Sequence, residues 1–148
     1  MLDSDPQLCH ERMGEAFEEA ISEYDTQRRV EVLLGEFLGN REWKGRRALE
    51  VGCGLGHFSK PLAALGVELT VCDIGETLVQ KASARANCRG MVADATRLTE
   101  TFEPGTFDLV LSSECIEHTP DPQAAGGSLA SDRALSWPEF QERRIKPL

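Results

Sequence analysis

A glycine-rich loop in the first half of the chain constrains the fold more than any other feature of the sequence. The loop spans residues 52–56 (Gly-Cys-Gly-Leu-Gly) and follows a short strand-like run from Ala48 to Val51. Glycine allows a tight turn and leaves no Cβ between the backbone and an approaching ligand. In doubly wound α/β sheets, nucleotides bind at the first turn from a strand into a helix. The sequence therefore predicts a ligand site at this loop.

The segments after the loop alternate between the periods of helices and strands. Residues 57–65 and 76–86 have helical patterns, whereas residues 67–72, 89–92 and 107–111 have strand-like patterns. Strands that alternate with helices indicate parallel βαβ units, with helices on both faces of one sheet. We therefore expect an α/β fold with a doubly wound, mostly parallel sheet.

The length of 148 residues is enough for one domain with a core but too short for two. Within it we expect an N-terminal helical cap over residues 1–45, a ligand-binding core over 46–122 and an atypical tail over 123–148. Proline, glycine and small residues interrupt the tail, and we predict no strand there. Ser136 is instead predicted to cap a short helix, because a proline and Glu139 follow at the positions of a capping box.

Composition disfavours several classes of partner and site. The net charge of −9 argues against nucleic acid and anionic membranes, because acidic surfaces repel phosphate groups. The five cysteines are odd in number and lack a C-x-x-C spacing, so they indicate neither a disulfide framework nor a metal site. No apolar run approaches the ~20 residues of a membrane span, and the first residues lack a signal-peptide pattern. We therefore expect a cytoplasmic protein.

The spacing of the loop glycines and the acids around them indicates the kind of ligand. In the dinucleotide fingerprint G-x-G-x-x-G the third glycine comes one residue later, where this chain has His57, so a nicotinamide oxidoreductase is disfavoured. Glu50 would repel a phosphate, but it could help hold a cationic amino-acid group, directly or through water. Asp73, at the end of the next strand, can accept hydrogen bonds from ribose hydroxyls. Asp94, after the third strand, can accept from an adenine amino group.

In this order and spacing, the motifs resemble those of class I S-adenosylmethionine-dependent methyltransferases, closest to small-molecule enzymes of the ubiquinone and menaquinone biosynthesis type. The resemblance covers about residues 45–122 and rests on the loop with its acid, on Asp73 and Asp94, and on the segment 107–118. It implies a Rossmann-like sheet in strand order 3-2-1-4. It also implies methyl transfer from S-adenosyl-L-methionine to an oxygen, nitrogen or carbon of a small-molecule acceptor. The cofactor-binding residues that it implies are Glu50, Gly52, Gly54, Gly56, Asp73 and Asp94.

His118 is the candidate catalytic residue. It follows the strand end where an acceptor would meet the methyl donor, and a histidine with an ordinary pKa of about 6.5 can accept a proton near neutral pH. An alternative stays open, because many enzymes of this family work mainly by aligning the nucleophile, the methyl carbon and the sulfur. His57 is interpreted as a solvated residue in the first turn of a helix.

The C-terminal part of the chain departs from the family pattern. Members of the family usually continue with a helix, a turn, a fifth strand and a β-hairpin, whereas residues 123–148 carry no predicted strand. We therefore expect an incomplete sheet whose fourth strand is an exposed edge that favours self-association, and a weak or inactive enzyme. The alternative is a non-catalytic, truncated or alternatively spliced fragment that serves as a cofactor-binding or interaction module.

Overall fold

The structure, a computed structural model, describes residues 23–39, 41–112, 123 and 134–136. Helix α1 comes first and continues into a π-helical turn; their bounds are Glu23–Val32 and Leu33–Phe37. The later helical elements are α2 (Ser59–Ala64), α3 (Glu76–Ala86) and a 3-10 turn (Leu98–Glu100). The strands are β1 (Arg47–Val51), β2 (Glu68–Asp73), β3 (Arg89–Val92), β4 (Leu109–Ser112) and β5 (Ala134–Ser136).

The strands form one parallel sheet in the order β3-β2-β1-β4-β5. The first four strands confirm the predicted α/β fold and the order 3-2-1-4. At the end of β1, Val51 lies in register with Cys72 of β2 on one side and with Ser112 of β4 on the other. The chain therefore leaves β1 at the point where the strand order switches direction, which is where open α/β sheets bind their ligands.

The tail contains a strand that was not expected from its sequence. β5 pairs with β4, with Val110 opposite Ala134 and Ser112 opposite Ser136. The prediction of a tail without a strand is therefore wrong, and Ser136 lies in β5 instead of capping a helix. The exposed edge expected at β4 is also wrong, because β5 covers it. The physical reason lies in the sheet, because the backbone N–H and C=O groups at the edge of β4 need hydrogen-bond partners. A strand of 3 residues can supply them, although it is too short to show an alternation of apolar and polar residues in the sequence.

Two apolar layers cover the two faces of the sheet. The layer between the sheet and helices α2 and α3 includes Leu33, Ala48, Leu62, Val71, Ala82 and Leu109. The layer on the opposite face includes Leu49, Val51, Cys72, Leu98, Phe107 and Val110. Because successive side chains of a strand point to opposite faces, Glu50 of β1 lies on the same face as Ala48, under helix α2.

The described part of the predicted helical cap packs against this core. Leu33 and Leu38 are buried in the layer with α2 and α3, and the indole nitrogen of Trp43 donates a hydrogen bond to the Leu38 carbonyl at 2.8 Å. Within the described ranges, no helix has the length and apolar character needed to cross a membrane.

Candidate functional site

The loop between β1 and α2 has a backbone conformation that glycine adopts far more readily than other residues. Gly52, Gly54 and Gly56 have φ values of 73°, 51° and 86°, which lie in the left-handed region. A Cβ added at Gly54 would meet no heavy atom within 4 Å, so open space lies beside this part of the backbone. The loop therefore presents bare backbone to a space that a ligand can occupy.

Gly56 serves packing within the fold. A Cβ at this position would lie 2.8 Å from Cα and 3.1 Å from Cβ of Ala82 on helix α3. No side chain fits at such distances, so the glycine allows the loop to pack directly against α3. Cofactor binding by Gly56 stays a prediction, and the contact observed here is the one with Ala82.

Asp73 joins the glycine loop to the turn after β2. It is 3% exposed. Its Oδ2 accepts a hydrogen bond from the backbone N–H of Gly54 at 3.0 Å, and its Oδ1 accepts one from Gly75 at 3.2 Å. The sequence predicted an acid here but not its bond to Gly54, because the two residues are 19 positions apart. One carboxylate thus fixes the backbone of two loops at the carboxyl edge of the sheet.

Glu50 lies beneath the same loop, between β1 and the start of α2. It is 2% exposed, and its carboxylate accepts a hydrogen bond from the hydroxyl of Ser59. Burial raises the pKa of Glu50 from its ordinary 4.5 to about 7; the Ser59 hydrogen bond opposes this change, and the negative charge of Asp73 adds to it. Sequence reasoning missed Ser59, because a hydroxyl residue in the first turn of a helix is common and carries no signal of a carboxylate partner.

Asp94 occupies the turn after β3, at the same edge of the sheet. Its Oδ1 accepts hydrogen bonds from the backbone and the hydroxyl of Thr96, at 2.9 and 2.7 Å, and its Oδ2 lies 3.4 Å from the Arg97 guanidinium. The Thr96 hydroxyl is the main cause of a lowered pKa for this carboxyl group. The side chain is 31% exposed. Asp94 is therefore an ionised, oriented acid within reach of solvent.

A buried hydroxyl lies at the carboxyl end of β4. Ser112 is 2% exposed, and in the part of the chain that the structure describes its Oγ has no hydrogen-bond partner. An unpaired buried hydroxyl costs about 1–3 kcal/mol. Ser112 was not among the site residues predicted from the sequence. His118, the predicted catalytic residue, lies outside the described residues.

The described part of the chain holds no group of three or more His, Cys, Asp or Glu side chains that could bind a metal ion. Cys53 lies within the glycine loop, but burial raises the pKa of its thiol, with the charges of Glu50 and Asp73 adding to the effect. The thiol therefore stays protonated at neutral pH and is a poor nucleophile.

A groove of about 410 Å³ lies beside α2 and α3 and is lined by Gly56, His57, Lys60, Pro61, Ala64 and Arg85. Nδ1 of His57 lies 3.2 Å from a guanidinium nitrogen of Arg85. None of the three acids described above lines this groove. The groove is therefore distinct from the cluster of acids at the glycine loop.

Comparison with known proteins assigns the chain to a family. Residues 49–130, which are 82 of the 148, match the family described as "Methyltransferase domain". The chain belongs to this family. The matched range includes the glycine loop, Asp73 and Asp94.

Curated relatives of this methyltransferase domain are longer than the chain. The ubiquinone biosynthesis O-methyltransferase of Xanthomonas euvesicatoria pv. vesicatoria (strain 85-10) is 36% identical over 101 residues, which are 65% of this chain and 42% of the relative. The protein of the same name from Maricaulis maris (strain MCS10) is 37% identical over 89 residues, 57% of this chain and 35% of the relative. The chain thus spans about two fifths of the length of these relatives or less.

A solved structure has the same fold as this methyltransferase domain. The crystal structure of magnesium protoporphyrin IX methyltransferase from Synechocystis PCC 6803 with bound SAM has a TM-score of 0.61 and 26% identity. The match covers 71% of this chain and 53% of that one.

Proposed function

We propose that the chain binds S-adenosyl-L-methionine at the carboxyl ends of β1, β2 and β3 and transfers its methyl group to an oxygen of a small-molecule acceptor. The observation that carries the proposal is the hydrogen bond between Asp73 and Gly54, which places a buried acid beside open backbone at the switch in strand order. The family match and the SAM in the Synechocystis structure support the cofactor. The O-methyltransferase relatives favour oxygen over nitrogen or carbon as the acceptor atom.

The residues of the site fit this cofactor. The backbone of Gly54 leaves room for a ligand, because no heavy atom lies within 4 Å of the place where a Cβ would be. An ionised carboxylate can accept about four hydrogen bonds, so Asp73 can brace the loop and also accept from a ribose diol. Asp94 is held ionised and is the proposed acceptor for the adenine amino group. In its ionised form, Glu50 supplies negative charge from beneath the loop, which favours a cationic ligand.

The cofactor, when bound, supplies an electrophilic methyl group on a sulfonium. The chain binds and orients the donor with the glycine loop and its acids, so that the acceptor oxygen can be aligned with the methyl carbon. Such alignment can account for about 7–11 kcal/mol of a reaction barrier. We propose that an imidazole nitrogen of His118 takes the proton from the acceptor hydroxyl. If alignment alone suffices, His118 has no part in the chemistry.

Binding and turnover are measured separately to test this function. Calorimetry with S-adenosyl-L-methionine and S-adenosylhomocysteine should show one site, and a methyl-transfer assay should find oxygen acceptors in a panel that also contains amines and carbon acids. His118→Ala should keep cofactor binding and lower turnover by about 10²–10⁴-fold if His118 is the base. Equal turnover of both proteins would assign the rate to alignment, and the absence of cofactor binding would contradict the whole proposal.

A second candidate function is a cofactor-binding module without turnover. Binding of the cofactor without methyl transfer to any acceptor of the panel is the result that this alternative predicts.

A further inference from the structure

We propose that Ser59 is a positioning residue that stabilises the ionised form of the Glu50 carboxylate and thereby sets the lowest pH at which the site favours a ligand with an ammonium group. The inference rests on the proposed function and deepens it, because it assigns a role to a residue outside the predicted site. It concerns the amino-acid end of the cofactor, which carries the ammonium group.

The hydroxyl of Ser59 donates its hydrogen bond to the Glu50 carboxylate inside the protein. Ser59 is the first residue of α2 and is fully buried, and its Oγ donates to Glu50, which is 2% exposed. The two residues are nine positions apart, on either side of the glycine loop. The hydrogen bond therefore ties the acid below the loop to the helix that follows it.

Among the residues that the structure describes, Ser59 is the main source of stabilisation for the charge of Glu50. Asp73 of β2 is an acid and opposes ionisation. Cys53 in the loop and Cys88 before β3 are thiols whose pKa values burial raises, so both are neutral. From β4, the residue in register with Glu50 is the apolar Leu111. No described lysine or arginine contributes to the pKa of Glu50.

Protonation of Glu50 and binding of an ammonium group are therefore linked. Burial raises the pKa of Glu50 to about 7, so near neutral pH the carboxylate is poised between its two forms. A bound cation favours the ionised form, and affinity for it should rise as the pH passes through this range. Without the Ser59 hydroxyl, the ionised form loses a charge-assisted hydrogen bond, and the rise should move to higher pH.

The experiment compares two ligands across pH. S-adenosylhomocysteine carries the amino-acid group, whereas 5′-methylthioadenosine has the same nucleoside without it. The ratio of their affinities isolates the ammonium group, because a merely structural loss weakens both ligands equally. In the wild type this ratio should rise with pH through about 7. In Ser59→Ala the midpoint of this rise should move up by about one pH unit. In Ser59→Thr, which keeps the hydroxyl, the midpoint should not move. In Glu50→Gln the ratio should no longer rise with pH in this range.

The outcomes separate this inference from the proposed function. If neither ligand binds the wild type at any pH, the proposed function fails. If both bind and Ser59→Ala leaves the midpoint unchanged, the role of Ser59 is wrong while the function stands. Should Ser59→Ala not fold, Ser59→Cys replaces the hydroxyl with a weak donor of similar size and should also raise the midpoint. The inference is also contradicted if the affinity ratio of the wild type shows no step with pH, or if Glu50→Gln does not remove that step. Either result holds regardless of what the Ser59 variants do.

Discussion

The carboxylate of Asp73, at the end of β2, accepts a hydrogen bond from the backbone N–H of Gly54, in the loop after β1, with 3.0 Å between the two atoms. The same carboxylate also accepts from Gly75, so two loops from neighbouring strands are held by one side chain. Because parallel strands end at the same edge, this side chain shapes the crevice where the cofactor is proposed to lie.

Asp73→Asn should weaken cofactor binding by about 10- to 100-fold, because hydrogen bonds to an ionised acceptor are worth about 1.5–3 kcal/mol. Asp108→Asn is the matched control. Its Oδ2 also accepts from a backbone N–H, that of Arg47, at 2.9 Å, but at the amino ends of the strands. Calorimetry with S-adenosylhomocysteine measures both variants. Equal affinity losses in the two would show that Asp73 acts through the fold and not at the site.

Gly54→Val should abolish detectable cofactor binding, because the new side chain would fill the open space beside the loop. The substitution should also lower the stability of the fold, because Gly54 has a φ of 51°, which a β-branched residue adopts at a cost of about 1–2 kcal/mol. Gly105→Val controls for this strain, since Gly105 has a φ of 77° and also has no heavy atom within 4 Å of an added Cβ. Both variants should lose similar stability, measured by thermal unfolding. Retained cofactor binding by a folded Gly54→Val protein would show that the loop is not the site.

Glu50→Gln should stabilise the protein at alkaline pH. Between 4.5 and about 7 the folded protein holds a proton on Glu50 that the unfolded chain releases, so the wild-type free energy of unfolding falls as the pH rises through this window. This difference in pKa, at about 1.4 kcal/mol for each pH unit, corresponds to about 3–4 kcal/mol of stability. The whole amount is lost above the upper pKa. The glutamine variant has no proton to release and escapes this loss.

Chemical denaturation below and above this window measures the effect. The variant and the wild type should have similar stability at the acidic end, and the variant should be the more stable at the alkaline end. Glu68→Gln, at an exposed position of β2, is the control and should change little at either pH. A difference between Glu50→Gln and the wild type that is independent of pH would contradict the raised pKa.

Asp73 should also make the site selective against a 2′-phosphate. A buried acid that accepts from a ribose diol repels a phosphate on the same ribose. In competition with labelled S-adenosylhomocysteine, NADP should therefore displace the ligand poorly. Displacement by NADP as strong as by unlabelled S-adenosylhomocysteine would favour the nicotinamide alternative that the glycine spacing disfavours.

The first four strands and the glycine loop could be predicted from the sequence, because residues close together along the chain determine them. Strands β1 to β4 were predicted from strand-like patterns, and the glycines make the tight turn that was expected between β1 and the next helix. The fifth strand could not be predicted in this way, because the pairing of Ala134–Ser136 depends on the edge of β4. Three residues cannot show the alternation that identifies a longer strand.

The site was predicted as a set of residues but not as a set of contacts. Glu50 and Asp73 were expected to face a ligand, and the structure adds partners for both within the protein, Ser59 and Gly54. Gly56 was expected to serve the ligand, and it packs against Ala82, which is 26 positions away. Such partners come together only when strands and helices are in place, so spacing along the chain does not reveal them.

Backbone amide NMR during a titration with S-adenosylhomocysteine tests most directly whether the cofactor binds at the carboxyl ends of β1, β2 and β3. Saturable shifts should centre on three places: the amides of Gly52 and Gly54, those of the turn from Asp73 to Gly75, and those of the turn from Asp94 to Thr96. The amides at the amino ends of the strands, such as Arg47, should stay unchanged. Shifts that instead centre on His57, Lys60 and Arg85 in the groove between α2 and α3, or no shifts at all, would contradict the proposed site.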